Sequence, residues 1–396
     1  MAGVPSPSPG FRTQGQAAAL SVIERAVLSG RAPHALLLVG PARVGKTTLA
    51  LDLAAGLLCL AEDPRQRPCR ECAACRKVEH GNHPDLHRFA PDGVGQQIRV
   101  GQVHALTAEL ALLPLEGRFR VAIIEAAHRL NLDAQNAILK TLEEPPAAVV
   151  LVLAADESAS LLPTVISRCA RLRLGPVAPE IVARMLDEAG AADRSQGTTL
   201  ARLSGGRPGV ALELARRPEA VIAQERLSRA LLDLLGADRR RRLALQADLL
   251  NDGQLLVAGT AGEADASPAA ETLTAGRGTS RAPGGSAGRR QSPAERRAAV
   301  AQVIAVWREV ARDLAVAAHG GRAELGRRDL FDELVAAGER VEPGEIGRFM
   351  ARLDAIARAI DSYANPELCL DVLLLEWPTV AASASQPAAT APHRAA

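Results

Sequence analysis

From His34 to Leu174 the chain alternates short apolar runs with stretches of helical periodicity. Three runs, Ala35–Val39, Val121–Ile124 and Val149–Ala154, are each bounded by polar, Gly or Pro residues, the pattern of strands buried on both faces. Interleaved with helices, such runs predict an α/β domain on a parallel sheet. From about Val177 to Ala215 the pattern becomes helical, with Pro179 at a helix start and Gly205-Gly206 as a break; this is the size of a small helical lid. Pro218 opens further helices to about Leu250. The segment 259–293 is rich in Gly, Ala, Ser and Thr and reads as a disordered linker or insertion. After it, Val300, Val303, Ile304, Trp307, Val310 and Leu314 recur at helical spacing, as do Ile346, Phe349, Leu353, Ile356 and Ile360. These are amphipathic helices of an all-α domain, followed by an Ala/Ser/Pro-rich tail, 381–396, expected to be mobile.

A chain of 396 residues exceeds the ~250–300 that one core organises, so two or three domains are expected. With 47% hydrophobic and 23% charged residues it is globular rather than disordered. No apolar run reaches the ~18–20 residues of a membrane span, and Met1–Gly10 lacks the basic and apolar regions of a signal peptide, so the expected location is cytoplasmic. A net charge of +2 supplies no global basic field. Nucleic-acid contact would have to come from partners or a local patch, and the Arg239–Arg242 run is more simply a solvated helix face. Of six cysteines, four crowd into Cys59–Cys75, while Cys169 and Cys369 stand alone, which indicates metal binding rather than a disulfide framework.

The sharpest motif is Gly40-Pro41-Ala42-Arg43-Val44-Gly45-Lys46-Thr47, a complete G-x-x-x-x-G-K-[ST] after an apolar strand and before a helix at Thr47–Leu58. Gly40 and Gly45 allow backbone N–H groups to approach phosphates, Lys46 places a charge on the β/γ oxygens, and the Thr47 hydroxyl, with Thr48 beside it, suits Mg²⁺ and nucleotide. ATP or ADP binding with Mg²⁺ follows as an expectation. Hydrolysis also needs carboxylates after a second strand. There Glu125 can serve the metal, but Ala126 stands where a catalytic carboxylate belongs, which speaks against turnover. Cys59-x₉-Cys69-x₂-Cys72-x₂-Cys75 supplies the four thiolates of a closed structural Zn²⁺ site. The iron–sulfur reading is weaker because no Cys-Pro follows Cys75, and His80 and His83 read as surface residues. On their own, Asn136–Pro146 is a Pro-terminated helix and the Arg of Ser167-Arg168-Cys169 a surface charge.

Together, the P-loop, the Cys cluster after its helix, the Leu142-Glu143-Glu144-Pro145-Pro146 string and Ser167-Arg168-Cys169 resemble the bacterial DNA polymerase III clamp-loader family, closely over about 10–215 and loosely through Ala364–Leu368 to Leu375. The resemblance implies an AAA+ P-loop parallel sheet over 1–176 with an inserted zinc module at 59–75, a helical lid at 177–215, and an all-α collar from 216–258 and 294–380. It implies that Arg168 acts in trans as an arginine finger on ATP held by a neighbouring subunit. Departures from the gamma/tau motor subunits, at Glu125-Ala126, at Ala155 in place of a polar sensor and at Gly209 in place of a lid arginine, resemble the delta-prime members. The implied partners are gamma/tau motor subunits, the clamp-opening delta subunit, the sliding clamp and, through the complex, primed DNA. The chain would then be a component of the DNA-directed DNA polymerase (nucleotidyltransferase) holoenzyme with little ATPase of its own. The alternatives are a motor subunit with true ATPase activity and an unrelated P-loop ATPase of DNA repair.

Overall fold

The computed structural model describes residues 10–91, 97–257, 292–321 and 330–378. Almost all of the proposed 259–293 linker and the whole of the proposed 381–396 tail lie outside these residues. The chain divides into two compact units, Met1–Val221 with Val257–Glu295, and Ile222–Leu256 with Arg296–Ala396.

The first unit is built on five parallel strands, β1 (Ala35–Val39), β2 (Leu86–Phe89), β3 (Arg120–Ile124), β4 (Val149–Ala155) and β5 (Ala170–Arg173), in the order β2-β3-β4-β1-β5. The three predicted runs are the three central strands. Because successive side chains point to opposite faces, each of them feeds two cores. Leu36, Leu38, Val121, Ile123, Val150 and Val152 enter one core, with helices α1 (Ala17–Ser29) and α2 (Lys46–Leu58) and the smaller α3 (Ala73–Glu79). Leu37, Ala122, Ile124, Leu151 and Leu153 enter the other, with α4 (Val100–Leu110), α5 (Leu132–Glu143) and the short α6 (Pro163–Ile166). Covering both faces is what lets a parallel sheet carry uninterrupted apolar strands.

Helices α7 (Pro179–Glu188), α8 (Arg194–Leu203) and α9 (Pro208–Arg216) follow the sheet, each led by a start signal: Pro179, the Asp193 cap and Pro208. Helix α10 (Pro218–Asp233) runs from the end of the first unit into the second, which is otherwise formed by α11 (Arg239–Ala244), α12 (Gln246–Val257), α13 (Pro293–Ala318), α14 (Phe331–Gly338), α15 (Pro343–Asp361) and α16 (Pro366–Glu376).

Trp307 of α13 is buried, and its indole N–H donates to Leu227 O at 3.0 Å. The rings of Phe349 and Trp377 meet edge to face, 4.5 Å between centroids. The Arg239–Arg242 run is not uniformly a solvated face. Arg242 is 1% exposed and donates to the carbonyls of Leu234, Ala237, Leu374, Trp377 and Pro378, tying α11 to the end of α16. A guanidinium is the one side chain with enough donors in fixed geometry for that task. Among the described residues no helix is long and apolar enough to cross a membrane.

Candidate nucleotide and metal sites

The P-loop leaves the end of β1 between two neighbours. Gly40 must be glycine, since a Cβ there would lie 2.2 Å from Leu174 O, just beyond β5. Gly45 sits at φ 106° with open space where its Cβ would be, and it begins α2, whose first N–H groups have no side-chain cap. Uncapped N–H groups and the helix dipole leave this end able to receive an anion. Lys46 is 8% exposed, and its ammonium donates to Gly40 O at 2.7 Å, Pro41 O at 2.8 Å and Asp156 Oδ1 at 2.7 Å. Thr47 is half-buried and Thr48 exposed on the first turn of α2. Glu125, at the end of β3, is held by Arg88 of β2, which donates to Oε1 through Nε at 2.9 Å and Nη2 at 2.7 Å. The next residue, Ala126, adopts φ 52°, a left-handed conformation uncommon outside glycine.

Helix α9 starts against this loop. Gly209 N donates to Arg43 O at 3.1 Å, and a Cβ on Gly209 would stand 3.1 Å from that of Arg43. Arg43 in turn pairs with Glu213 of α9. A side chain at 209 would therefore press on the loop, and Arg207 donates from Nε back to Ser204 O at 2.9 Å.

The cysteines cap the other end of the same helix. Cys59 ends α2, Cys72 is the N-cap of α3 and Cys75 lies in its first turn. The four sulfurs all lie within 4.8 Å of one another, with Cys59 Sγ 3.5 Å from Cys69 Sγ and 4.0 Å from Cys72 Sγ. Four thiolates around one ion at ~2.3 Å stand about 3.8 Å apart, so the cluster fits a tetrahedral metal. Backbone N–H groups of Cys69, Cys72 and Cys75 point at the sulfurs of Cys59, Cys69 and Cys72, each at 3.4 Å. Burial raises the Cys75 and Cys59 thiols. It acts on Cys72 too, but N–H donors from Leu60 and Cys75 and the adjacent thiols outweigh it and bring Cys72 down to about 7.

Neither histidine joins the cluster. His80 Nδ1 lies 2.7 Å from Arg76 O, and His83, contrary to the surface reading, is 3% exposed with Nδ1 accepting from Asp85 N. The cysteine segment is fastened to α2 by Asp52. This buried carboxylate accepts from Arg12 N, Thr13 N and Thr13 Oγ1 and pairs with Arg70.

Arg168 follows α6, with Nη1 donating to Thr164 O at 2.9 Å and Nη2 2.7 Å from Glu143 Oε1. Glu143 is the last residue of α5, so the Leu-Glu-Glu-Pro-Pro string and the Ser-Arg-Cys triplet meet in one ion pair. Buried Gln135, also on α5, fixes the approach, donating to Leu130 O and Ser160 O and accepting from Leu162 N at 2.7 Å. Cys169 is pushed up to about 11 by burial, which makes it a poor nucleophile at neutral pH.

The family model described as "DNA polymerase III, delta subunit" matches residues 15–178, the span that holds the sheet, the P-loop, the cysteines and Arg168. This part of the chain, less than half of it, is similar to that family. Over 169 residues it is 36% identical to DNA polymerase III subunit delta′ of Bacillus subtilis strain 168, covering 43% of this chain and 50% of that one. It is 42% identical over 149 residues to subunit delta′ of Pseudomonas aeruginosa, covering 36% of this chain and 44% of that protein. Identity to subunit tau of Salmonella typhimurium is 35% over 173 residues, 44% of this chain and 26% of tau. The chain thus spans about half the length of the delta-prime relatives and about a quarter of tau.

Within residues 15–178 the predicted residues fall into three groups. Gly40 and Gly45 of the loop and Lys46 and Thr47 at the start of α2 form one group, the four cysteines a second, and Arg168 a third position beside Glu143. Glu125 is joined to Arg88. Sequence reading missed Asp156, and His128, whose Nδ1 accepts from Asp156 N at 3.2 Å. Asp156 directly follows Ala155, so a polar group does stand at the end of β4, one residue beyond the position first considered. Its only sequence signal is an acidic residue closing a buried strand.

Proposed function

We propose that the chain is a delta-prime-type subunit of the bacterial clamp loader, assembling with gamma/tau motor subunits and a clamp-opening delta subunit to place the sliding clamp on primed DNA. The observation that carries this reading is that the chain combines an Arg168 anchored by Thr164 O and Glu143 with a P-loop whose second strand is followed by Ala126 where a catalytic carboxylate is needed. An exposed ion pair such as Arg168–Glu143 contributes at most about 1 kcal/mol, so it orients the guanidinium without sequestering it. Offered to a phosphate on a neighbouring subunit, a guanidinium stabilises charge that develops in the transition state, worth roughly 10³–10⁵ in rate for arginine fingers. On this reading 1–176 is an AAA+ domain, 177–215 its lid, and 216–258 with 294–380 the collar.

Gly40, Gly45, Lys46, Thr47 and Thr48 would hold the phosphates of ATP or ADP, with Glu125 available to Mg²⁺ once it leaves Arg88. Bound there, the nucleotide would serve as a structural ligand, because Ala126 stands where the water-activating carboxylate of a hydrolytic site is expected. Cys59, Cys69, Cys72 and Cys75 would hold Zn²⁺ as a structural ion at the end of the P-loop helix.

Reconstitution tests the reading. The full chain is expected to co-purify with motor and delta subunits as one complex, and alone to show negligible ATP turnover. Robust turnover by the isolated chain, abolished by Lys46→Ala, would instead identify a motor subunit. Failure to associate with either partner, with no ATPase stimulation, would leave an unrelated P-loop protein.

A further inference from the structure

Register brings Asp156 to the P-loop. Strands β1 and β4 are parallel with Val39 opposite Ala155, and Gly40 N still donates to Ala155 O at 3.2 Å. The next residues, Gly40 on one chain segment and Asp156 on the other, therefore leave the sheet side by side. Asp156 Oδ1 accepts a hydrogen bond from Lys46 Nζ at 2.7 Å, and the other two N–H groups of the ammonium donate to Gly40 O and Pro41 O. An ammonium has three hydrogens, so all of them are engaged. Asp156 is itself positioned: its N–H donates to His128 Nδ1 at 3.2 Å, which leaves the imidazole proton on Nε2, 3.7 Å from Asp156 Oδ2. Of the two carboxylates at the ends of β3 and β4, Glu125 is paired with Arg88 and Asp156 with the P-loop lysine.

We propose that Asp156 sets the nucleotide affinity of this site by competing with phosphate for Lys46. This rests on reading the P-loop as a nucleotide site. A carboxylate oxygen and a β- or γ-phosphate oxygen are both anionic acceptors for the same ammonium, so phosphate can bind only in the fraction of molecules whose Lys46 has released Asp156. Apparent affinity falls by that fraction. The displaced carboxylate, 40% exposed on its loop, then stands near a polyphosphate of like charge, which lowers affinity further. Removing the charge should reverse both effects.

The experiment is calorimetric titration of the full chain with MgATP, comparing the unmodified protein, Asp156→Asn, Asp156→Ala, and Asp156→Asn combined with Lys46→Ala. Asn keeps the shape and the backbone contact to His128, and unchanged melting temperatures establish that each variant is folded. Both single variants are expected to bind about tenfold tighter or more, and the gain should vanish in the double variant. Unaltered affinity overturns the competition while leaving a nucleotide site in place. A Mg²⁺-dependent loss of affinity in Asp156→Asn also overturns it, by making Asp156 a ligand of the nucleotide's metal. If none of the proteins binds MgATP, both this inference and the nucleotide reading fall.

Discussion

Buried charges in the first unit do their work as acceptors and donors for backbone. Asp85 is 0% exposed and accepts from the N–H groups of Leu115, Glu116 and Gly117 at 2.6, 2.8 and 2.8 Å. Arg120, 3% exposed, donates to Glu109 O at the end of α4 and to Leu113 O just before that turn. Burial pushes the Asp85 carboxyl up, but the three N–H donors prevail and hold it below the ordinary carboxylate range. A carboxyl lowered by folding stabilises above its unfolded pKa of about 3.9, and that contribution is lost as pH falls through its folded value. Asp85→Asn should therefore unfold at lower denaturant than the unmodified protein at pH 6–7, with the difference shrinking below about pH 4. A difference that stays constant across this range would contradict the account. Residues of this kind are hard to read in sequence, because Asp85 acts on a turn thirty residues away and Asp156 on a lysine 110 residues away.

At the scale of elements, what was legible depended on where a strand lies in the sheet. β1, β3 and β4 are covered on both faces and stand out as apolar runs. The two missed strands, β2 (Leu-His-Arg-Phe) and β5 (Ala-Arg-Leu-Arg), are the sheet's edges, short and polar, with Arg171 and Arg173 exposed. Charges on an edge discourage pairing with another chain, and they also erase the apolar signal. The P-loop and the cysteine spacing were legible because each is a local motif on a single helix, α2, whose two ends they occupy. Asp52, the one acid in that apolar helix, is a signal that could have been used.

Since α2 carries both sites, the metal is expected to support the helix as well as the cysteines. The purified chain should contain about one zinc, and Cys72→Ala should lose it together with several kcal/mol of stability, because metal binding in such clusters is coupled to folding. Full stability without bound metal, measured by elemental analysis alongside thermal unfolding, would show the cluster to be four reduced thiols and nothing more.

At the scale of the whole molecule, Arg168 is proposed to work on a neighbour's nucleotide. Its side chain is 36% exposed, with the guanidinium anchored by Thr164 O and Glu143, so substitution should cost the fold little. Lys is the discriminating change, since it keeps the charge but lacks the planar fork that engages two phosphate oxygens at once. The most direct measurement is the DNA- and clamp-stimulated ATPase of the reconstituted complex carrying Arg168→Lys or Arg168→Ala, with assembly checked by size-exclusion chromatography. A complex that assembles normally and hydrolyses ATP at least tenfold more slowly is the predicted result; one that hydrolyses ATP and loads clamps at the unmodified rate would make Arg168 a plain surface residue.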